Sequence, residues 1–440
     1  MARVMAGNKR SPRGGLRMRY FASAASLLVA AALVAPAGPT ASAAEPVLTD
    51  FGLTASGFST QVTGGSLPVE SGRTGFAGLS CTRYAGRSST NDTAGVGIPA
   101  RNSLLRVGAT TTRAYTTKED DFVSSHGVNH VARLVIGNPS VAALEIRGIE
   151  THTRAWHNGE GFHRGQLVRV AGVTRYVGGD GEEVASIPSN QDLDGQRLRI
   201  PGVATVTFGV KNGFANGTQA YARATAIRVD LELSNTVVDV GGASSRIGGG
   251  AVAGIMNGQV WGSHVIGAGG IANSGRTASQ ALSCVGTGGD FESTRVAALR
   301  VPGIAALGEI TSQARGNQVG TEAWAQGVST VTGARFLGRQ LVVTGIRAEA
   351  LVKRSGDGTY TRLARGTTLG SIEFGGRRLE LPRLGRTLVI PGIARITRGI
   401  VERPGANSIK VVGLRVQLLE GSRIESTVDL ANVRLQVLRG

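Results

Sequence analysis

The chain has 440 residues, 66 of them glycine and 13 proline, with no G-X-Y period, so a collagen-like fibre is excluded. It is 41% hydrophobic and 18% charged, with 43 arginines against 5 lysines and a formal charge of +18. That balance leaves no room for a disordered chain or a coiled coil, and two cysteines are too few for a disulfide framework or a structural zinc site.

Residues 1–20 carry Arg3, Lys9, Arg10, Arg13, Arg17 and Arg19 without an acid, and an apolar run from Phe21 to Val34 follows. Ala41-Ser42-Ala43 then supplies a small-x-small cleavage site, so residues 1–43 read as a secretory signal. The run is too short for a spanning helix, which needs about 20 residues, and no later stretch is apolar enough, so no transmembrane segment is expected after cleavage. No cysteine follows the run for lipid attachment, and residues 435–440 hold no sorting motif or apolar tail. Cleavage removes six basic residues and no acid, which takes the charge from +18 to +12. Arginine, alanine and glycine usage suits a GC-rich, actinobacterium-like secretor. The charge fits an anionic cell-wall polymer or polysaccharide as partner. Nucleic acid is set aside, because no block of five or six basic residues occurs and aromatics for base stacking are few.

The body of the chain is duplicated. Ser71 to Cys81 (SGRTGFAGLSC) matches Ser274 to Cys284 (SGRTASQALSC) at seven of eleven positions. Gly108 to Thr112 then faces Gly308 to Ser312, His126 faces Gln326, Arg147 faces Thr344, and Ile200 faces Ile390, with offsets falling from 203 to 190. Offsets that fall in order mark a duplication with small loop deletions. The expected organisation is one β repeat over 50–240, a Gly-rich linker over 241–254, and a second β repeat over 255–440.

Ile227, Val229, Leu231 and Leu233 alternate with Arg228, Asp230 and Glu232, and Leu414, Val416 and Leu418 repeat the pattern, which marks half-buried strands. In the last segment Val428 and Leu430 stand in one register and Val433, Leu435 and Val437 in the other. A single strand there requires a bulge near Ala431-Asn432. No window holds a helical period over three turns, and turn signals such as Gly179-Asp180-Gly181 recur. The expected fold class is all-β, with two homologous antiparallel β-sandwich-like repeats; a β-solenoid and two halves sharing one core are the alternatives.

Each repeat ends in a related pattern: RLRIPGVATVTF from Arg197, ATAIRVDLEL from Ala224 and TVVDV from Thr236, then TLVIPGIARIT from Thr387, VVGLRVQLL from Val411 and STVDLANVRLQV from Ser426. This resembles the C-terminal signature of the secreted actinobacterial choice-of-anchor P family. Isoleucine replaces that family's leucine before Pro201 and Pro391. The resemblance implies an envelope-associated β domain of unassigned activity and carries no catalytic residues across.

Cys81 and Cys284 occupy matching positions, and in an oxidising compartment they are candidates for a disulfide, provided the two Cα atoms come within about 7 Å; two separately buried thiols are the other reading. Five of the six histidines, His126, His130, His152, His157 and His163, fall in the first repeat. His126 and His130 share a strand face, His152 and His157 do not, and Gln326, Thr330 and Glu349 replace three of them in the second repeat, so scattered surface histidine is favoured over a metal site. Asn190, Asp192, Asp194 and Gly195 open like a calcium loop, but Pro201 stands where the closing glutamate belongs, and a turn is the favoured reading. Trp156, Trp261 and Trp324 are candidates for sugar stacking, with core anchoring as the commoner use. No nucleophile elbow, H-E-x-x-H helix or phosphate loop is present, and no cofactor is expected. The function read from these features is a secreted, non-enzymatic structural or binding protein of the cell envelope. A carbohydrate-active enzyme or a polysaccharide-binding protein is the alternative.

Overall fold

The computed structural model describes residues 45–64, 73–98, 104–232, 236–267, 276–301, 304–420 and 423–439. The signal expected over 1–43 lies outside them. Alternating apolar and polar residues, rich in valine and threonine and interrupted by glycine turns, produce an all-β molecule with no α-helix among the described residues. No helix there is long and apolar enough to cross a membrane.

The first repeat holds β1 (Val47–Gly64), β2 (Ala77–Ala85), β3 (Ser88–Thr93), β4 (Val96–Ile98), β5 (Leu105–Val107), β6 (Thr110–Glu119), β7 (Phe122–Asn138), β8 (Ala142–His157), β9 (Phe162–Arg169), β10 (Gly172–Val177), β11 (Asp180–Glu183), β12 (Gln196–Ile200), β13 (Ala204–Ala215), β14 (Gln219–Leu231) and β15 (Thr236–Gly249). The second holds β16 (Gly254–Gly267), β17 (Gln280–Ala281), β18 (Glu292–Val296), β19 (Leu299–Val301), β20 (Ala305–Leu307), β21 (Ile310–Val319), β22 (Glu322–Phe336), β23 (Leu341–Arg354), β24 (Tyr360–Leu363), β25 (Ser371–Phe374), β26 (Arg377–Leu379), β27 (Thr387–Ile390), β28 (Ala394–Gly405), β29 (Ser408–Glu420) and β30 (Arg423–Arg439). Each strand of the first repeat has its counterpart fifteen strands later. A six-stranded sheet ordered β12-β13-β14-β15-β1-β2 faces a nine-stranded sheet built on β7 and β8, and β27-β28-β29-β30-β16-β17 faces a sheet built on β22 and β23.

The expectation of two β-sandwich-like repeats therefore holds, and the solenoid does not. The repeats also keep separate cores. One gathers Val62, Phe208, Ile227 and Val240 of the six-stranded sheet against Leu134, Ile146 and Ile149 of the nine-stranded one. The other joins Val260, Leu414 and Val433 to Phe336, Val343 and Ile346.

The linker expected over 241–254 is a correction. Residues 241–249 form the second half of β15, paired with both β1 and β14, and the joint shrinks to 250–253. The first repeat thus closes on itself by pairing its last strand with its first, as β30 does with β16.

The bulge expected near Ala431-Asn432 takes a different form. Ala431 has φ +54, but β30 keeps its register with β16 and β29 on both sides, because Gly262 and Gly413 stand beside it. All three strands switch their buried face at the same line, so no partner is misaligned. Gly241, φ +67, marks the same line in the first repeat, flanked by Ala226 and Ser59.

A small apolar seam joins the repeats: Cys81, Ala251, Ile255 and Cys284 with Val285 and Leu438 packed against them. Cys81 and Cys284 are bonded, with Cα atoms 5.3 Å apart. Their sequence positions match but their local structures differ, since Cys81 lies in β2 while the chain leaves its ladder after Ala281 to bring Cys284 to the seam. Gly248 makes this docking feasible, because a Cβ there would stand 2.8 Å from Val285 Cγ2.

Candidate functional site: an aromatic and cationic sheet face

The nine-stranded sheet of the first repeat turns its outer face away from the core, and its register decides what gathers there. β7 pairs β6 and β8 so that Tyr115, His126 and Arg154 form one cross-strand row, and Thr117, Ser124, Trp156 and His163 form the next. Arg113, Val128, His152 and Leu167 make a third. Alternation along each strand sends these side chains outward while Val123, Asn129 and Ala155 point inward.

The Arg154 guanidinium carbon lies 4.4 Å from the Phe122 ring centre and 5.0 Å from that of Trp156. The Trp156 ring continues to His163 at 5.5 Å, tilted by 20°. Beside it, Tyr115 stacks on His126 at 4.4 Å and 3°, with Arg113 over the tyrosine at 4.7 Å. Cation–π contacts of this kind hold each guanidinium flat on the sheet, and because Arg154 Nε is buried there without a partner, its terminal N–H groups are the ones left to meet an anion.

A hydrogen-bonded chain runs beneath. Thr117 Oγ1 and Ser124 Oγ are 2.7 Å apart, Ser124 Oγ and His126 Nε2 2.7 Å, and His126 Nδ1 and His152 Nε2 3.1 Å. A hydroxyl, an imidazole and a second imidazole in that order mimic a nucleophile, a base and an orienting group. Here Ser124 has no exposed surface and is already engaged by Thr117. Burial, then the charges of His152, Arg154 and Arg113, pushes the His126 pKa down to about 3. Burial also lowers His152, against the opposing pull of Glu150. A buried hydroxyl beside so weak a base makes a packed polar layer under the aromatic face.

The second repeat rebuilds the same positions with other chemistry. Arg315 replaces Tyr115, Gln326 replaces His126 and Glu349 replaces His152. Arg315 Nε donates to Gln326 Oε1 at 2.8 Å, Gln326 Nε2 to Glu349 Oε1 at 2.7 Å, and Arg347 Nη2 to Glu349 Oε2 at 2.6 Å. Charges on that face satisfy one another, whereas Arg113 and Arg154 form no ion pair among the described residues.

The other sequence candidates separate. Of the five clustered histidines, His126, His130, His152 and His163 lie on the outer face and His157 turns the other way, against Phe51 at 4.9 Å. His152 meets His126 across the ladder. Trp156 and Trp324 are half-buried on outer faces, Trp324 with Arg315 at 5.5 Å. Trp261 is only 4% exposed beneath Arg276, so it has no ring face to offer a sugar.

Asn190 adopts φ +57, and Asp192 Oδ1 accepts from Val168 N at 3.0 Å and Lys211 Nζ at 2.7 Å. Asp194 opens onto a groove of about 480 Å³ shared with Lys211 and Arg228, cations that repel a divalent ion. No group of three or more His, Cys, Asp or Glu side chains suited to a metal occurs among the described residues.

Sequence reasoning missed Phe122, Tyr115, Arg113 and Arg154. Their signal was the shared parity of 122, 126, 152, 154 and 156, which acquires meaning only with the β7–β8 register.

No family model matches the chain, and no curated protein matches it. Among solved structures, a "putative AttH" of Nitrosomonas europaea aligns over 88% of this chain and 92% of its own at 7% identity. Its TM-score of 0.12 carries no argument.

Proposed function

We propose that this protein is a secreted, non-enzymatic binding protein of the cell envelope. On this reading it holds an anionic wall polymer or acidic polysaccharide against the outer face of the first repeat's nine-stranded sheet. The observation that carries this reading is Arg154 lying over both Phe122 and Trp156 on an open sheet face. Half-exposed rings take the apolar faces of sugars, and guanidiniums without carboxylate partners take the charges between them. The charge of +12 left after signal removal adds long-range attraction, and the strand pattern shared with the choice-of-anchor P family agrees with an envelope location.

Sedimentation with purified cell wall tests the reading. Retention is expected to fall steeply between 50 and 500 mM salt, chosen as roughly a threefold change in screening length. An R154A/W156A variant should lose most of the bound fraction, whereas W261F, altering a buried ring, should lose none. Retention that ignores both salt and the double substitution overturns the proposal.

A further inference from the structure

A second site lies on the seam between the repeats. A cleft of about 170 Å³ is lined by Asn257 and Gln259 of β16, Arg434 and Gln436 of β30, Arg276, and Ser80 of the first repeat. Two guanidiniums share this small space with a hydroxyl and three amides, and no carboxylate lines it. Their proximity is felt electrostatically, because Arg276 is lowered by burial and then by the like charge of Arg434.

The cleft is built from two directions. Arg276 belongs to the SGRT sequence repeated in both halves, and the turn that follows it at 277–278 is anchored by Thr277, whose Oγ1 accepts from Ser263 N at 2.9 Å. The turn lays the Arg276 guanidinium 4.3 Å over the Trp261 ring, where its Nη1 also touches Gln259 Oε1. Arg434 stands directly opposite Gln259 in the β16–β30 register, and its guanidinium has no hydrogen bond or ion pair among the described residues.

The first repeat supplies a contrast. Its Arg73 lies over Phe58 at 4.9 Å in the same manner, but the position of Arg434 is Ser244 there. Its nearby Arg246 spends Nε and Nη2 on Gln219 Oε1. The seam sets the ring-fixed Arg276 beside Arg434, whereas the like charge felt by Arg73 in the first repeat is that of Arg223.

We infer that the seam cleft binds a tetrahedral oxyanion, a phosphate group, between Arg276 and Arg434, with Ser80 contributing from the first repeat. Forked guanidinium donors match adjacent oxygens of one such anion, and binding relieves the repulsion between the two cations. Free phosphate and the phosphodiester of a wall polymer present the same chemistry. The site does not depend on the aromatic face.

Calorimetric titration of the disulfide-bonded protein with inorganic phosphate, at constant ionic strength set by chloride, is the test. One saturable site is expected, weakened at least tenfold by R434Q and removed by R276Q/R434Q. R434Q alters an exposed, unpartnered side chain, so its melting temperature should match the parent and keep the result interpretable. R154A/W156A should bind phosphate normally, which separates failure of this site from failure of the polymer face. A glycerol-phosphate polymer that competes with phosphate assigns the polymer as source, and one that does not assigns the free anion. Absence of saturable phosphate binding, or binding undiminished in R276Q/R434Q, overturns the inference.

Discussion

Arg228 donates Nε to Asp239 Oδ1 at 2.8 Å and Nη2 to Oδ2 at 3.1 Å, a two-pronged pair across the β14–β15 ladder. Arg415 and Asp429 repeat it on β29 and β30 at 2.6 and 2.8 Å. In both, the arginine pKa is raised first by the hydrogen bond to its partner, and the aspartate side chain is nearly covered. Each pair stands just before the line where its sheet switches buried faces, fixing the register of the closing strand. Removing the cation strands a covered carboxylate, so Arg228→Leu should cost about 2 kcal/mol, between exposed and fully buried pairs. Asp239→Asn, which keeps the shape, should cost about half that. Denaturant unfolding measures both, and a loss below about 0.5 kcal/mol for Arg228→Leu would show that the pair is incidental.

The first repeat is packed less apolarly than the second. Ser125, Thr151, Thr153 and Ser245 stand where the second has Ala325, Ala348, Ala350 and Leu435. Its sheets are tied instead by Ser59 to Thr110 at 2.6 Å, Thr151 to Gly241 O at 2.7 Å and Ser125 to Arg246 O at 2.9 Å. This polar belt brings backbones together at Gly127, where a Cβ would meet Ser56 O at 2.6 Å and Ser244 O at 2.7 Å. Carbonyls in two paired strands have little room to yield, so Gly127→Ala should destabilise by about 3 kcal/mol. The equivalent Gly327 meets only the methyls of Val260 and Val433, at 2.7 Å each, and Gly327→Ala should cost about 1 kcal/mol. Equal losses in thermal unfolding would contradict this difference between the cores.

The duplication, the strands and the matching cysteines were legible because each rests on local pattern. Residues 241–254 were misread because glycine normally signals looseness, yet in β15 it signals occupied space. The Phe58 ring fills the place of a Gly242 side chain and Val285 that of Gly248, so what requires glycine there is set by residues far away in sequence. The contact between His126 and His152 was hidden for a related reason. Spacing along one strand says which residues share a face, but His126 meets His152 only through the register of two strands. Arg276 was visible as a conserved letter of the internal repeat, while its neighbour Arg434, with no counterpart charge at Ser244, had no pattern to betray it.

His126 is 7% exposed and its pKa falls to about 3, far below the ordinary imidazole value. The fold therefore favours the neutral ring. Below about pH 6.5 the unfolded chain takes up a proton that the folded chain refuses, and stability present above that pH is lost as pH falls toward 3. One such group gives a slope of about 1.4 kcal/mol per pH unit, and His152, shifted the same way, steepens it. Between pH 6.5 and 5, above the usual carboxylate range, the histidines dominate. His126→Gln, which copies Gln326, should flatten the stability profile there by close to one proton's worth. A profile unchanged by the substitution would mean that His126 charges in the folded state.

The Cys81–Cys284 bond closes a separation of 203 residues and lies in the seam, outside either main core. In the chain-entropy account, a loop of that length limits the unfolded chain by about 5 kcal/mol at most. Part of that restraint falls on whichever repeat opens first, because its chain stays tethered to the folded neighbour. The bonded protein should accordingly melt in one transition, and Cys81→Ser/Cys284→Ser should melt in two. The earlier transition should belong to the first repeat, whose polar belt replaces apolar contacts that the second retains. Gly127→Ala, placed in the double-serine background, should then move only the earlier transition. If the serine variant instead melts in one transition within about 2 °C of the parent, a shift worth about 2 kcal/mol at this size, the apolar seam without the bond is enough to couple the repeats.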